Sequence, residues 1–346
     1  MSTAVETVRH STPARAGSRR GTVLAGVSAL LVVTALASLL IGSNMISPAA
    51  ALRGLTHPGS GSAESVIMSG RLVRTVMGVV IGASLATAGA AMQGVTRNPL
   101  GDPAILGINA GCSCFVVIGI ALVGASGAPA FAAWAILGAA VAAVAVYSIA
   151  SMGRDGATPI KLALVGAAFS AGAMSITNAF ILQGQETLDE FRRWQIGSLT
   201  RSSFGDLLSL APLIIVGLAL TVGFASSINN FALGDDMAAS LGEKVAVKRF
   251  VIFVGIAALC AASVAIAGPI AFLGLMIPHA VRALVGPDYR WIMPLSVLGG
   301  PSILLVADVV GRVLLPPTEV EVGVTMAIVG VPTFIYLIRS RKAVDL

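Results

Sequence analysis

Polar and apolar residues fall along this chain in long blocks, without the short periods of half-buried elements. Apolar runs of spanning length occupy 22–42, 75–95, 104–124, 128–149, 161–183, 207–227, 249–268, 292–311 and 322–338. At about 1.5 Å per helical residue, roughly twenty residues cover the ~30 Å hydrocarbon core of a bilayer. Each run therefore predicts a membrane-crossing helix. A further stretch, 269–286, is shorter and contains Pro269, Pro278, His279 and Arg282, so its pattern alone leaves the crossing open. The first run exceeds the ~7–15-residue apolar core of a signal peptide. It is read as a retained span preceded by a disordered cytoplasmic tail, residues 1–20.

Charge resolves the ambiguous stretch. With a cytoplasmic N-terminus, Arg97, the Arg154/Lys161 loop and the Lys244/Lys248/Arg249 loop all fall inside, as the positive-inside rule requires. Nine spans would leave Arg339, Arg341 and Lys342 outside. Ten bring them inside with Arg282 and Arg290, the turn between spans seven and eight falling somewhere in 267–278. The expectation is an all-α polytopic protein of about ten transmembrane helices with both termini cytoplasmic. Residues 21–346 form one transmembrane domain, with room for surface helices in 43–70 and 184–206. Trp194 and Trp291 are expected at the membrane interface.

Composition removes the soluble alternatives. Hydrophobic residues make up 56% of the chain and charged residues 11%, against about a quarter charged in soluble domains, and mean hydropathy is +0.92. The net charge of +6 is the excess that retains cytoplasmic loops, and nucleic acid is not an expected partner; membrane lipid is. Cys112, Cys114 and Cys260 lie inside apolar runs and read as packing residues. The scattered histidines and cysteines have no metal-ligand spacing.

Arg71–Gly107 carries the most information. Arg71 and Arg74, one turn apart, open a Gly/Ala-rich span that ends in a polar elbow, Arg97-Asn98-Pro99-Leu100-Gly101-Asp102-Pro103. Gly78/Gly82 and Gly107/Gly111 are small-xxx-small pairs that let helices approach closely. Ala88-Gly89…Pro99 weakly echoes Ala267-Gly268…Pro278. Asp308 is an ionisable residue inside a span, and Arg312 four residues on can neutralise it on one helix face. No P-loop, metalloprotease or nucleophile-elbow motif is present, so uphill transport would need energy from a partner.

The loop 229–249 is long and patterned. Leu233-Gly234-Asp235-Asp236 can start a short helix, since carboxylates favour a helix N-terminus. Met237, Ala238, Ala239 and Leu241 would give it an apolar face, and Gly242 ends it.

At these residues the chain resembles the permease subunits of iron-siderophore and vitamin B12 ABC importers. The resemblance runs through RLVRT (71–75), MQGVTRNPLGDPAILGINAG (92–111), WQIGSL (194–199), LGDDMAASLG (233–242), GPIAFLGLMIPHAVRALVGPDYR (268–290), ADVVGR (307–312) and VGVTMAIVGVP (322–332). It implies the fold of the B12-importer permease and no enzyme activity in this chain. ATP and Mg would be bound by a partner, and this chain would bind no cofactor or metal. Arg71, Arg74 and Arg312 match outer arginines that dock an extracytoplasmic binding protein. Leu233, Gly234, Asp235, Asp236, Ala239, Leu241 and Gly242, within about 230–242, match the coupling helix seated on an ATPase subunit. Asn98, Pro99 and Leu100 match one cytoplasmic gate and Thr158 falls near the other, where Pro159 departs from the pattern. Implied partners are two ATP-binding cassette subunits, a second permease (identical or paralogous) and the binding protein, at the cell membrane. The branch of the family favours a ferric siderophore, with cobalamin or heme as alternatives; a secondary carrier or channel is the rival class.

Overall fold

The computed structural model describes residues 13–43, 46–57, 59, 61–153 and 156–340. Arg154, Arg341, Lys342 and the first twelve residues of the expected tail lie outside them. Fourteen α-helices follow in order among the described residues: α1 Pro13–Leu40, α2 Pro48–Thr56, α3 Ala63–Thr96, α4 Ile108–Val123, α5 Ala128–Ala150, α6 Pro159–Ile181, α7 Gln185–Gln195, α8 Phe204–Val222, α9 Ala225–Phe231, α10 Asp235–Ser240, α11 Val245–Ala267, α12 Leu273–Val285, α13 Tyr289–Leu314 and α14 Val322–Ser340. Since α1 begins at Pro13, the boundary expected at residue 20 falls inside a helix.

Seven of these helices are long and apolar enough to cross a membrane, and three shorter apolar ones, in α4, α12 and α14, accompany them. The ambiguous stretch resolves as α12. Gly268 ends α11, and Phe272 starts α12 from a left-handed backbone (φ 68°), unusual for a bulky residue. The echo therefore joins unlike positions, because Gly89 lies within α3 while Gly268 terminates α11. The two expected surface helices are α2 and α7. Ser47 caps α2 and Ser62 caps α3, and Arg53 of α2 reaches Glu64 of α3 at 2.9 Å.

The core centres on α3, with α11, α12 and α13 packed around it. At 34 residues, or about 51 Å, α3 outruns the bilayer core, and its apolar window is 83% buried. Its backbone comes against its neighbours at glycines. A Cβ at Gly82 would stand 2.6 Å from the Pro301 backbone, and one at Gly300 would stand 2.1 Å from the Gly82 carbonyl oxygen. In contrast α1 leaves Leu30, Val32, Val33 and Leu36 exposed, as a helix facing lipid should. Trp291 is partly exposed beneath Arg20, but Trp194 is 2% exposed and packs on Phe191. The expected interfacial indole is instead core, because α7 folds it inward beside Gly268.

Candidate functional sites at the two ends of the bundle

Arg71, Arg74 and Arg312 come together at one end, as the sequence suggested, but they turn inward. Arg74 donates to Asp308 at 2.8 Å through Nε and also pairs with Glu319. Arg312 pairs with Asp308 on its own helix, as expected from their spacing. Its other nitrogen donates to the Ser38 carbonyl at 2.7 Å, and Arg71 donates to the carbonyls of Leu39 and Leu40 at 3.0 and 2.9 Å. These belong to the last turn of α1, whose carbonyls have no partner in their own helix. Cations there also suit the negative end of the helix dipole. Gly42 leaves room for this, since a Cβ would stand 2.6 Å from an Arg71 nitrogen.

The three arginines, expected as docking charges on the outer face, are largely enclosed within the chain. Arg71 and Arg74 are 7% exposed and Arg312 1%. Asp308 is fully buried and compensates two of them. Glu319, in the loop after α13, is the partly exposed member, a third open to solvent. Burial pushes its carboxyl up, but the Ser43 hydroxyl at 2.6 Å and the Arg74 guanidinium outweigh that and hold it below the ordinary Glu range. Three cations and two carboxylates leave one net positive charge. Arg71, Arg74, Arg312 and Glu319 line a cleft of about 420 Å³ with Ile67 and Leu199, and Asp308 lies behind it. Sequence reasoning missed Glu319 because nothing local marks it.

The other end lies 23 helical residues along α3, about 35 Å away. There α3 stops at Arg97, whose backbone is left-handed (φ 52°). Glycine is the common residue at such a position, because a Cβ in the left-handed region costs roughly 1–2 kcal/mol. Asn98 accepts the Leu100 N–H at 2.9 Å, Asp102 caps a short 3-10 turn over Pro103–Leu106, and Gly107 starts α4. Asn98, Pro99 and Leu100 are all exposed. Thr158 is half-buried and caps α6. Pro159 follows at the first helical position, where a missing N–H costs nothing, which accounts for the unexpected proline.

The expected short helix is α10. Gly234 precedes it (φ 102°), Asp235 and Asp236 occupy its first turn, and Gly242 follows it (φ 84°). Its apolar face is corrected in one respect. Ala238 is fully buried against the bundle, while Leu233, Met237 and Leu241 stand 62, 54 and 57% exposed, and Ala239 is exposed beside them. The loop after it is tied down by Glu243, which takes Lys248 at 2.5 Å and Asn230 at 2.8 Å. Lys248 and Asn230 hold the Glu243 carboxyl below its ordinary range against the opposing effect of burial.

One carboxylate joins these loops. Asp235 accepts from Arg97 at 2.5 Å and from Arg249 at 2.9 and 3.0 Å. Arg249 lies 5.7 Å over the Phe231 ring and donates from its second terminal nitrogen to the Ala157 carbonyl at 3.4 Å. Neither Arg97 nor Arg249 was singled out in the sequence as a site residue. The left-handed helix end at Arg97 is visible only in the fold. No group of three or more His, Cys, Asp or Glu placed to hold a metal ion exists among the described residues, and all three cysteines are buried.

Among the described residues, a bundle of apolar helices, seven of them long enough to cross a membrane, carries a buried charge cluster at one end and a short helix with exposed apolar side chains at the other, as suits a membrane permease. The model of the FecCD transport family matches residues 30–340, and the chain belongs to that family. It is a permease subunit of an ABC importer, not an enzyme, and ABC importers place ATP hydrolysis on a separate subunit. It is 38% identical over 323 residues to the ferric enterobactin transport system permease protein FepD of Escherichia coli (strain K12), covering 93% of this chain and 96% of the relative. It is 43% identical over 283 residues to the Fe(3+)-citrate import system permease protein YfmD of Bacillus subtilis (strain 168), covering 82% and 84%. A solved metal-chelate type ABC transporter in an inward-facing conformation superposes with a TM-score of 0.81 at 27% identity, over 92% of this chain and 99% of that one.

Proposed function

We propose that this permease imports a ferric siderophore across the cell membrane, with both termini in the cytoplasm. Two permease copies, or this chain and a paralogue, line a central pathway, and two ATPase subunits carrying ATP and Mg sit beneath them. The observation that carries the coupling reading is α10 with its flanking residues, which leaves Leu233, Met237 and Leu241 exposed while Ala238 anchors it to the bundle. Apolar side chains presented together on one exposed face suit a groove on a partner. The substrate class rests on the iron chelates named for the relatives above.

On the outer side an acidic binding protein docks over the cleft at Arg71 and Arg74. Because Glu319 already holds Arg74, a docking carboxylate has to compete with it, so charge steers the encounter more than it adds affinity. Arg312 serves as the internal support of that site. Asn98, Pro99, Leu100 and Thr158 lie in the loops that open to the cytoplasm. The test is reconstitution in proteoliposomes with the ATPase and a binding protein loaded with radioiron chelate. Uptake that requires both partners and ATP is expected. Accumulation without the ATPase, or uptake of cobalamin in place of ferric chelates, would overturn the reading.

A further inference from the structure

We propose that Asp235 is the link through which α10 moves the gate loops, with the Arg249 arm of its fork as a fixed pivot and the Arg97 arm as the one that releases. The proposal rests on the reading of α10 as the ATPase-contacting helix. Three observations carry it. First, a single carboxylate at the first position of α10 binds the end of α3 and the start of α11 at once. Through Arg249 it also reaches the Ala157 carbonyl, one residue before Thr158. Any displacement of α10 must stretch one of these arms.

Second, the arms are unequal. The Arg249 side chain is 6% exposed, covers the Phe231 ring and contacts both Asp235 oxygens. The Arg97 side chain is 36% exposed and makes one contact. Charge pairs open to water are weak and screened by salt, whereas buried ones are screened far less. Third, Arg97 occupies a left-handed helix end where glycine would be relaxed. Backbone bonds from the Arg97 and Asn98 N–H groups to the Gly94 and Gln93 carbonyls hold that helix end, so the Arg97 side chain is the part that ties the Asn98–Leu100 turn to α10. A Cβ at Gly234 would come within 4.0 Å of an Arg97 nitrogen, so α10 starts close against the arm.

The permease–ATPase complex in proteoliposomes, supplied with binding protein and radioiron chelate, provides the test. Arg97→Gly suits the backbone, so folding is not at issue. It should retain the ATPase subunit and ATP hydrolysis while radioiron moved per ATP falls about tenfold. Arg97→Lys should restore that ratio to within about threefold, and Asp235→Asn, which weakens the Arg249 arm as well, should lower it at least as far as Arg97→Gly does. Raising the salt should lower the wild-type ratio and leave that of Arg97→Gly unchanged. A wild-type ratio in Arg97→Gly would overturn the proposal, as would loss of the ATPase subunit from that variant or equal salt sensitivity of the two. The underlying reading fails separately: Leu233→Asp combined with Met237→Asp should release the ATPase subunit, and its retention would sink the assignment of α10 whatever Arg97 does.

Discussion

The two ends of α3 each carry arginines bound to aspartate, but in opposite environments. At one end Asp308 is sealed from solvent between Arg74 and Arg312, and at the other Asp235 is 39% exposed between Arg97 and Arg249. A sealed pair is costly to break because the surviving charge has no water to turn to. A wet pair exchanges partners readily. The first is suited to holding helices in place and the second to movement.

Substitutions can break that contrast, beginning with the largest effect. Asp308→Ala should leave the buried Arg312 guanidinium without a carboxylate and Arg74 with Glu319 alone, and destabilise the permease by about 3–5 kcal/mol, read as a lower midpoint of thermal unfolding in detergent. Stability near wild type would mean that the cluster is hydrated. Gly82→Leu should follow at about 1–3 kcal/mol, because its side chain meets the Pro301 backbone and cannot be accommodated by rotamer changes. Glu319→Gln should cost about 1 kcal/mol or less, since that carboxylate is partly in water. The same variant should tighten binding-protein affinity, which titration at low salt would detect.

The pH dependence of Glu319 follows from its lowered value. Its contribution is complete above the ordinary Glu range and is lost as pH falls through the lowered folded-state value. Unfolding midpoints of wild type and Glu319→Gln should therefore converge only in acid, below the ordinary range. Arg97→Gly should have the smallest effect on stability, within about 0.5 kcal/mol, because a weak pair is lost while backbone strain is relieved. A large loss there would erase the distinction between the two ends.

Much of this was legible beforehand because its causes are local. Spanning runs, the Gly234 and Gly242 boundaries of α10 and the Asp308–Arg312 pair each depend on residues within one or two turns. What sequence reasoning missed depends on distant partners. Arg71 reads as an outward charge until the end of α1 is placed beside it. Trp194 reads as interfacial until α7 folds back. Arg97 looks like one more cytoplasmic cation until its left-handed backbone and its bond to Asp235 are known. Gly268-Pro269 announces the break between α11 and α12, but periodicity cannot foresee that α12 starts from a left-handed Phe272.

The pairing of Arg74 with Asp308 also imposes an order on biogenesis. The chain is made from its N-terminus, so α3 enters the membrane long before its counter-ion, 234 residues later, has been synthesised. An unpaired arginine at membrane depth is unfavourable, so during that interval α3 must stay near the aqueous rim or lean on the carbonyls of α1. The arrival of α13 then closes the assembly: the last long helix before the C-terminal one supplies the charge that lets the second span settle.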